Sequence, residues 1–212
     1  MRIVIVLYPR MTALDAVGPY EVLSRLPGAD LVTASHDRGP VVTDTGVLTL
    51  HADEALDNIT NADIVVVPGG PDITDQQHDR ALHEWLIAVD PTTTCTASVC
   101  SGALILGAAG LLQGRRATTH WLAMRDLARH GATPTHQRVV RDGKYATAAG
   151  VSAGIDLGLT LAAEVAGPQV AMGIQLAIEY DPEPPFDAGS PAKAPREVTA
   201  FLTANEQLVL RR

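Results

Sequence analysis

The cysteine at position 100 lies where a β-branched, apolar segment changes to small and apolar residues, in the order Ser98-Val99-Cys100-Ser101-Gly102. This pattern predicts a buried strand that ends near Val99 and a helix that begins near Ala103. Small residues at a strand-to-helix turn permit the strained backbone of a nucleophile elbow, which would raise the Cys100 side chain above the sheet towards solvent. The N-terminus of the following helix would favour the thiolate. We therefore predict that Cys100 is a nucleophile.

A second interpretation of Cys100 is a small buried hydrophobic residue, which is the usual state of a free cysteine. The chain has one other cysteine, Cys95, five residues earlier in the same predicted strand. We expect Cys95 to point to the opposite face of the sheet and to be structural. A disulfide between the two is not expected, because their side chains face opposite ways.

The candidate acid is Asp15, which follows the first predicted strand, residues 3–7, at the entry of the first predicted helix. In open α/β sheets, ligands bind outside the carboxyl ends of the strands. The Cys100 elbow must lie at that edge, so we predict that Asp15 and Cys100 face one pocket. Taken alone, Asp15 would be interpreted as a helix N-cap. Pro19 is expected in the first turn of this helix, where proline is tolerated.

Two glycines, Gly69 and Gly70, end the buried strand over residues 63–67. Their backbone N–H groups could approach a bound anion or oxyanion closely, although an ordinary turn would use glycines too. His120 ends a short predicted strand on the same side of the sheet and is the one histidine placed near this crevice. Its ordinary interpretation is a hydrogen-bonded histidine without a catalytic role.

Composition and charge exclude several classes of protein. The chain has 212 residues, 46% of them hydrophobic, which suits a single domain over 1–212. A net charge of −8 argues against nucleic acid or an anionic membrane as a partner. The N-terminus lacks the pattern of a secretory signal, and two cysteines in such a chain suggest the reducing cytoplasm. No motif for a phosphate-binding loop, a dinucleotide or zinc occurs, so the residues do not support a nucleotide or zinc site.

The last third of the chain contains a proline-rich segment that cannot form regular structure, Asp181-Pro182-Glu183-Pro184-Pro185-Phe186-Asp187-Ala188-Gly189-Ser190-Pro191. We predict an arm over 181–195, followed by a C-terminal helix over 196–212. Because Phe186 has no other evident burial, we expect the arm to dock on a partner subunit.

Several segments together resemble the ThiJ/PfpI superfamily, which is related to class I glutamine amidotransferases. They are residues 14–19, 98–102, 106–112, 116–121, 179–180 and 184–191, which extend over nearly the whole chain. Within the superfamily the resemblance is strongest to isonitrile hydratases. It implies a flavodoxin-like, three-layer α/β fold with a mainly parallel sheet, a homodimer, no metal or cofactor, and catalytic residues Cys100 and Asp15. Two departures are Ser101, where these enzymes often have threonine, and Ala149, which replaces one of a usual pair of glycines.

The resemblance implies that the chain adds water to an isonitrile to give an N-substituted formamide. Asp15 would donate a proton while the Cys100 thiolate attacks. Gly69, Gly70 and Ser101 would bind the developing negative charge through their amides, and the Ser101 hydroxyl would orient substrate or water.

Three alternatives stay open: a glyoxalase or deglycase acting on reactive aldehydes, a redox-sensing or chaperone-like protein, and the ligand-sensing part of a transcription regulator. Methylglyoxal turnover would favour the first. A stable Cys100 sulfinate without turnover would favour the second. The acidic charge makes the third the weakest.

Overall fold

The apolar runs of the sequence form the strands of a central sheet in the computed structural model, which describes residues 1–211. The strands in chain order are β1 (Arg2–Val6), β2 (Asp30–Ser35), β3 (Gly39–Val42), β4 (Thr49–Ala52), β5 (Glu54–Ala55), β6 (Ile64–Val67), β7 (Cys95–Val99), β8 (Arg116–Ala117), β9 (Thr133–Pro134), β10 (Val139–Asp142) and β11 (Tyr145–Ala148). The α-helices are α1 (Ala13–Leu23), α2 (Thr74–Gln77), α3 (Arg80–Val89), α4 (Gly102–Ala108), α5 (Met124–Leu127), α6 (Ala153–Ala166), α7 (Pro168–Ala177) and α8 (Arg196–Ala204).

Within residues 1–211, seven strands form one sheet in the order β10-β11-β7-β6-β1-β2-β5. All neighbouring pairs are parallel except β10 and β11, which form an antiparallel hairpin. Strands β1, β6 and β7 lie side by side at the centre and are almost fully buried, as continuous apolar strands in parallel sheets are. Their carboxyl ends therefore meet at one edge of the sheet.

The helices form two packed groups. Helix α1 packs against α6, which also contacts α7, while α4 contacts α2, α3 and α5. Sheet and flanking helices make the three-layer α/β fold, with a mainly parallel sheet, that the sequence predicts. The hairpin of β3 and β4 lies outside the central sheet, as does the pair of β8 and β9. No helix among residues 1–211 has the length and apolar character needed to cross a bilayer.

Several element boundaries differ from the sequence predictions. The sequence of residues 53–56 favours the start of a short helix, whereas the structure has strand β5 followed by a 3-10 turn, Leu56–Asn58. The apolar spacing over residues 76–89 predicts one amphipathic helix, but the structure has two, α2 and α3. Asp79 caps α3 by accepting a hydrogen bond from the Leu82 N–H at 3.0 Å. Pro19 lies inside α1 and not in its first turn.

The C-terminal part of the chain also differs. The predicted helix over 196–212 is α-helical only through Ala204, and a 3-10 turn, Glu206–Leu208, follows after Asn205. Arg212 lies outside the described residues. The predicted arm over 181–195 has no helix or strand, and the Phe186 side chain is 78% exposed. Its docking on a partner stays a prediction.

Candidate active site

The turn between β7 and α4 has the strained geometry of an elbow. Cys100 has a φ of 57°, a left-handed conformation that is uncommon for residues other than glycine. Its N–H donates to the carbonyls of Ala148 and Ala149 at 3.1 and 2.9 Å, and the Thr119 hydroxyl donates to its carbonyl at 2.7 Å. These bonds from neighbouring segments hold the conformation in place.

The elbow depends on glycines where two loops approach closely. A Cβ at Gly102 would lie 2.7 Å from the Pro68 carbonyl oxygen, and a Cβ at Gly69 would lie 2.5 Å from the Ser101 amide nitrogen. The loop after β6 therefore packs directly against the first turn of α4. The Ser101 hydroxyl joins the two, because its Oγ accepts from the Gly70 N–H at 2.9 Å and donates to the Gly70 carbonyl at 2.7 Å.

Asp15 is the third residue of α1 and is fully buried. It is not the N-cap, since that position belongs to Thr12. Its Oδ2 accepts a hydrogen bond from the Gly69 N–H at 2.9 Å, whereas its Oδ1 has no conventional partner. The hydroxyl of Tyr8, another buried residue, donates to the Pro68 carbonyl at 2.8 Å and holds the same loop.

The structure brings Asp15 and Cys100 together, and each changes the acidity of the other. Burial raises the pKa of Asp15 to about 7, against the lowering effects of hydrogen bonds from the Gly69 amide and the Cys100 thiol. The negative charge of Asp44, in the loop between β3 and β4, adds a smaller increase. Burial also raises the pKa of Cys100, and the Asp15 charge raises it further. The pair therefore resists losing its last proton, because two buried anions would lie side by side.

Two expectations about Cys100, a side chain directed to solvent and a favoured thiolate, are wrong for the protein without a bound substrate. The side chain is not directed to solvent, since the residue is only 4% exposed. The thiolate is not favoured either, because burial raises the thiol pKa more than nearby amides lower it. Those amides are the N–H groups of Val151 and Ser101, which hydrogen-bond to the sulfur.

The amides that the sequence predicts as anion-binding groups already form hydrogen bonds within the protein. The Gly69 N–H is bonded to Asp15 and the Gly70 N–H to the Ser101 hydroxyl. The Ser101 N–H is directed to the sulfur together with that of Val151, which sequence reasoning missed. The signal for Val151 was its position in the turn that leads into α6, immediately before the N-cap Ser152.

A cavity of about 690 Å³ lies on the Val151 side of the elbow. His120 lines it, is 8% exposed, and has its Nδ1 3.4 Å from the Leu122 nitrogen. A smaller cavity, about 190 Å³, lies on the Ser101 side.

Cys95 lies outside the candidate site, with its sulfur 3.0 Å from Nη1 of Arg141. No group of three or more histidine, cysteine and acidic residues within residues 1–211 is arranged to hold a metal ion.

The fold and the elbow define a class of α/β proteins in which a cysteine follows a central strand of a mainly parallel sheet. Residues 1–164 match the model of the DJ-1/PfpI family. The chain belongs to this family, as its resemblance to the ThiJ/PfpI superfamily indicated.

Individual relatives differ in what their names describe. The chain is 42% identical to an isonitrile hydratase of Pseudomonas putida, over 93% of this chain and 86% of the relative. It is 34% identical to the HTH-type transcriptional regulator CdhR of Pseudomonas aeruginosa, over 77% of this chain but 49% of the regulator. A crystal structure of a ThiJ/PfpI family protein from Pseudomonas syringae superposes with a TM-score of 0.93 at 38% identity, over 98% of this chain and 86% of that one. A less similar relative is named a deglycase.

Proposed function

We propose that this protein is an isonitrile hydratase, a lyase that adds water to an isonitrile to give an N-substituted formamide. The observation that carries the proposal is the buried contact between Asp15, whose pKa is about 7, and the Cys100 thiol. The 42% identity to an isonitrile hydratase over most of both chains supports it.

The reaction needs a nucleophile and an acid in one place, because the terminal carbon of an isonitrile must gain both a nucleophile and a proton. Asp15 and Cys100 together carry two protons at low pH. Near neutrality they lose one, which leaves an Asp15 carboxylate beside a Cys100 thiol. Moving the remaining proton from sulfur to carboxylate creates the thiolate and the acid together. The N–H groups of Ser101 and Val151 stabilise the sulfur anion during this step.

Addition then proceeds in two stages that regenerate both residues. The Cys100 thiolate forms a C–S bond to the terminal carbon, and Asp15 gives its proton to the same carbon, which yields a thioimidate. Water adds to that carbon while the nitrogen gains a proton. The C–S bond breaks, the hydroxyl proton returns to the Asp15 and Cys100 pair, and the formamide leaves.

The test is turnover of simple isonitriles, measured as formamide production by chromatography. Cys100→Ala should abolish turnover. Asp15→Asn should reduce kcat/KM by about 10²–10⁴-fold, the usual contribution of a general acid or base. Cys95→Ala removes the other buried thiol and should retain turnover within about threefold, because it lies outside the site.

Unchanged turnover in Asp15→Asn would remove the acid from the mechanism. Lactate formation from methylglyoxal by the wild type, without isonitrile turnover, would favour the aldehyde alternative.

We also propose that the protein is a cytoplasmic homodimer, as the resemblance and the cysteine usage imply. Light scattering of the purified protein tests the dimer.

A further inference from the structure

One peptide group, between Pro68 and Gly69, connects the Tyr8 hydroxyl to the Asp15 carboxylate. Its oxygen, the Pro68 carbonyl, accepts a hydrogen bond from the Tyr8 hydroxyl at 2.8 Å. Its N–H, on Gly69, donates to Oδ2 of Asp15 at 2.9 Å. The peptide group is planar and rigid, so the direction of its carbonyl determines the direction of its N–H.

The residue types on either side of this peptide leave its orientation open. Proline fixes its own φ but leaves its ψ free, and glycine adopts positive as well as negative φ. Rotation of the plane between Pro68 and Gly69 is therefore open to the backbone. Such a rotation would turn the Gly69 N–H away from Asp15 and remove a hydrogen bond that lowers the pKa of its carboxyl.

The hydrogen bond from Gly69 to Asp15 weakens during the proposed reaction. Asp15 there gains the thiol proton and passes it to the substrate, and a neutral carboxyl is a weaker acceptor than a carboxylate. The bond from Tyr8 does not depend on that proton. Burial raises the pKa of Tyr8 well above its usual value, and the charges of Asp15 and Cys100 raise it further. The Tyr8 hydroxyl therefore stays a donor throughout the neutral range.

We propose that Tyr8 is a positioning residue: its hydroxyl fixes the peptide between Pro68 and Gly69 in the orientation that presents the Gly69 N–H to Asp15. Donation to the carbonyl also polarises the peptide, which makes its N–H a stronger donor. The effect on turnover rests on the proposed function, whereas the effect on the Asp15 proton can be measured without a substrate.

The other groups that face Asp15 stay in place when the Tyr8 hydroxyl alone is removed. Within residues 1–211, the titratable ones are Cys100, from the turn before α4, and Asp44, from the loop between β3 and β4. Helix α6 meets α1 through residues 154–155, which do not titrate, and the loop after β6 contributes a backbone N–H. A changed pKa of Asp15 would therefore report the hydrogen bond from that loop.

The first measurement follows the Asp15 carboxyl carbon by NMR as the pH is raised, with the signal assigned from its absence in Asp15→Asn. Tyr8→Phe keeps the ring and should raise the pKa of Asp15 by about 1, which corresponds to losing part of a hydrogen bond to a charged group. Tyr145→Phe is the matched control. Tyr145 is also buried, but its hydroxyl donates to Asp90 at 3.0 Å, so the titration of Asp15 should not change.

A variant that retains the hydroxyl gives the opposite sign. Replacing Tyr8 with 3-fluorotyrosine makes the phenol more acidic and therefore a stronger donor to the Pro68 carbonyl. The pKa of Asp15 should then fall. This variant keeps the inference testable if Tyr8→Phe does not fold by circular dichroism.

The second measurement is the pH dependence of kcat/KM for a simple isonitrile. Turnover starts from the Asp15 carboxylate, so a higher pKa moves the rising limb of the profile to higher pH. The ratio of wild type to Tyr8→Phe should be about tenfold larger at pH 6 than at pH 9. A general loss of packing would instead lower the rate by the same factor at both pH values.

The outcomes separate this inference from the proposed function. Equal titration of Asp15 in the wild type and Tyr8→Phe would overturn the inference, and packing of Pro68 against Gly102 would then be what holds the peptide. A rate ratio that is equal at pH 6 and pH 9 would overturn the part of Tyr8 in the reaction. A raised pKa in Tyr8→Phe, with no turnover of any isonitrile by the wild type, would support the positioning of the peptide and overturn the proposed function.

Discussion

Burial of the Asp15 carboxyl has an energetic cost that depends on pH. Burial removes water from the carboxylate, and the single amide of Gly69 compensates for only part of it. The folded protein therefore holds the Asp15 proton up to about pH 7, whereas the unfolded chain releases it near the ordinary value of 3.8. Between these values, raising the pH weakens the folded state, because the folded state binds more protons than the unfolded state.

Asp15→Asn should therefore stabilise the protein at pH 8 and lose this advantage towards pH 4. Asparagine keeps an oxygen for the Gly69 N–H and carries no charge, so the gain at pH 8 is on the order of 4 kcal/mol at most. Urea unfolding at both pH values measures it. Asp30→Asn is the control, because the Asp30 side chain is 64% exposed. An equal difference between Asp15→Asn and wild type at pH 4 and pH 8 would contradict a buried, titrating Asp15.

The chemistry of Cys100 and Asp15 could be predicted in part from the sequence. Local residue types are enough to place an elbow at Cys100, and chain order is enough to place Asp15 at the same sheet edge. The degree of burial was not predictable from local residue types, because segments distant in the sequence contact the pair, as the Gly69 N–H does at Asp15 and the Val151 N–H at Cys100. The expected ionised sulfur is wrong for that reason.

Helices α1 and α6 pack against each other beside the candidate site. Helix α1 carries Asp15, and α6 begins just after Val151. Two glycines of α6 allow close contact: a Cβ at Gly154 would lie 3.0 Å from Pro19 Cδ, and one at Gly158 would lie 2.9 Å from Val22 Cβ. The G-x-x-x-G spacing of these glycines, which favours close helix packing, is therefore used at this contact.

Gly158→Leu should separate these two helices. Overpacking of this kind costs about 1–3 kcal/mol of stability. A displacement of about 1 Å at reacting groups costs about 10²-fold in rate, so kcat should fall more than stability explains. The measurements are urea unfolding and isonitrile turnover, with Gly173→Leu in α7 as control. Full activity in a folded Gly158→Leu variant would show that the helix separation does not set the site geometry.

The sequence did not identify which element the glycines of α6 would contact. Hydrophobic periodicity describes the faces of one helix at a time, whereas the helix that packs against α6 depends on the order of strands in the sheet. The sequence pattern also merges short elements: residues 121–129 favour one helix, whereas the structure has a 3-10 turn, α5 and a second 3-10 turn.

At the scale of the whole molecule, the C-terminal residues return to the active-site edge. Leu210 is 5% exposed and belongs to the main core. The Arg211 N–H donates to the Pro71 carbonyl at 2.5 Å, next to Gly70. Arg125 binds both carboxylate oxygens of Glu206 at 2.9 Å. These contacts hold the end of the chain against the loop that contacts Ser101.

Leu210→Ala should destabilise the protein by about 2–5 kcal/mol, as for other buried leucines. Leu208→Ala is the matched control. Its side chain is 65% exposed, so the change should stay within about 0.5 kcal/mol. Urea unfolding compares the two, and equal effects would mean that Leu210 is not packed in the core. The sequence predicts a continuous helix here, whereas the structure has a break at Asn205, whose side chain donates to the Phe201 carbonyl at 2.8 Å.

The β3 and β4 hairpin lies away from the reacting atoms, yet it acts on them. The Asp44 carboxylate accepts a hydrogen bond from the Thr12 hydroxyl at 3.0 Å, and its charge reaches Asp15. Electrostatic influence of this kind needs no contact. Removing the Asp44 charge would therefore lower the pKa of Asp15 while both reacting side chains stay the same.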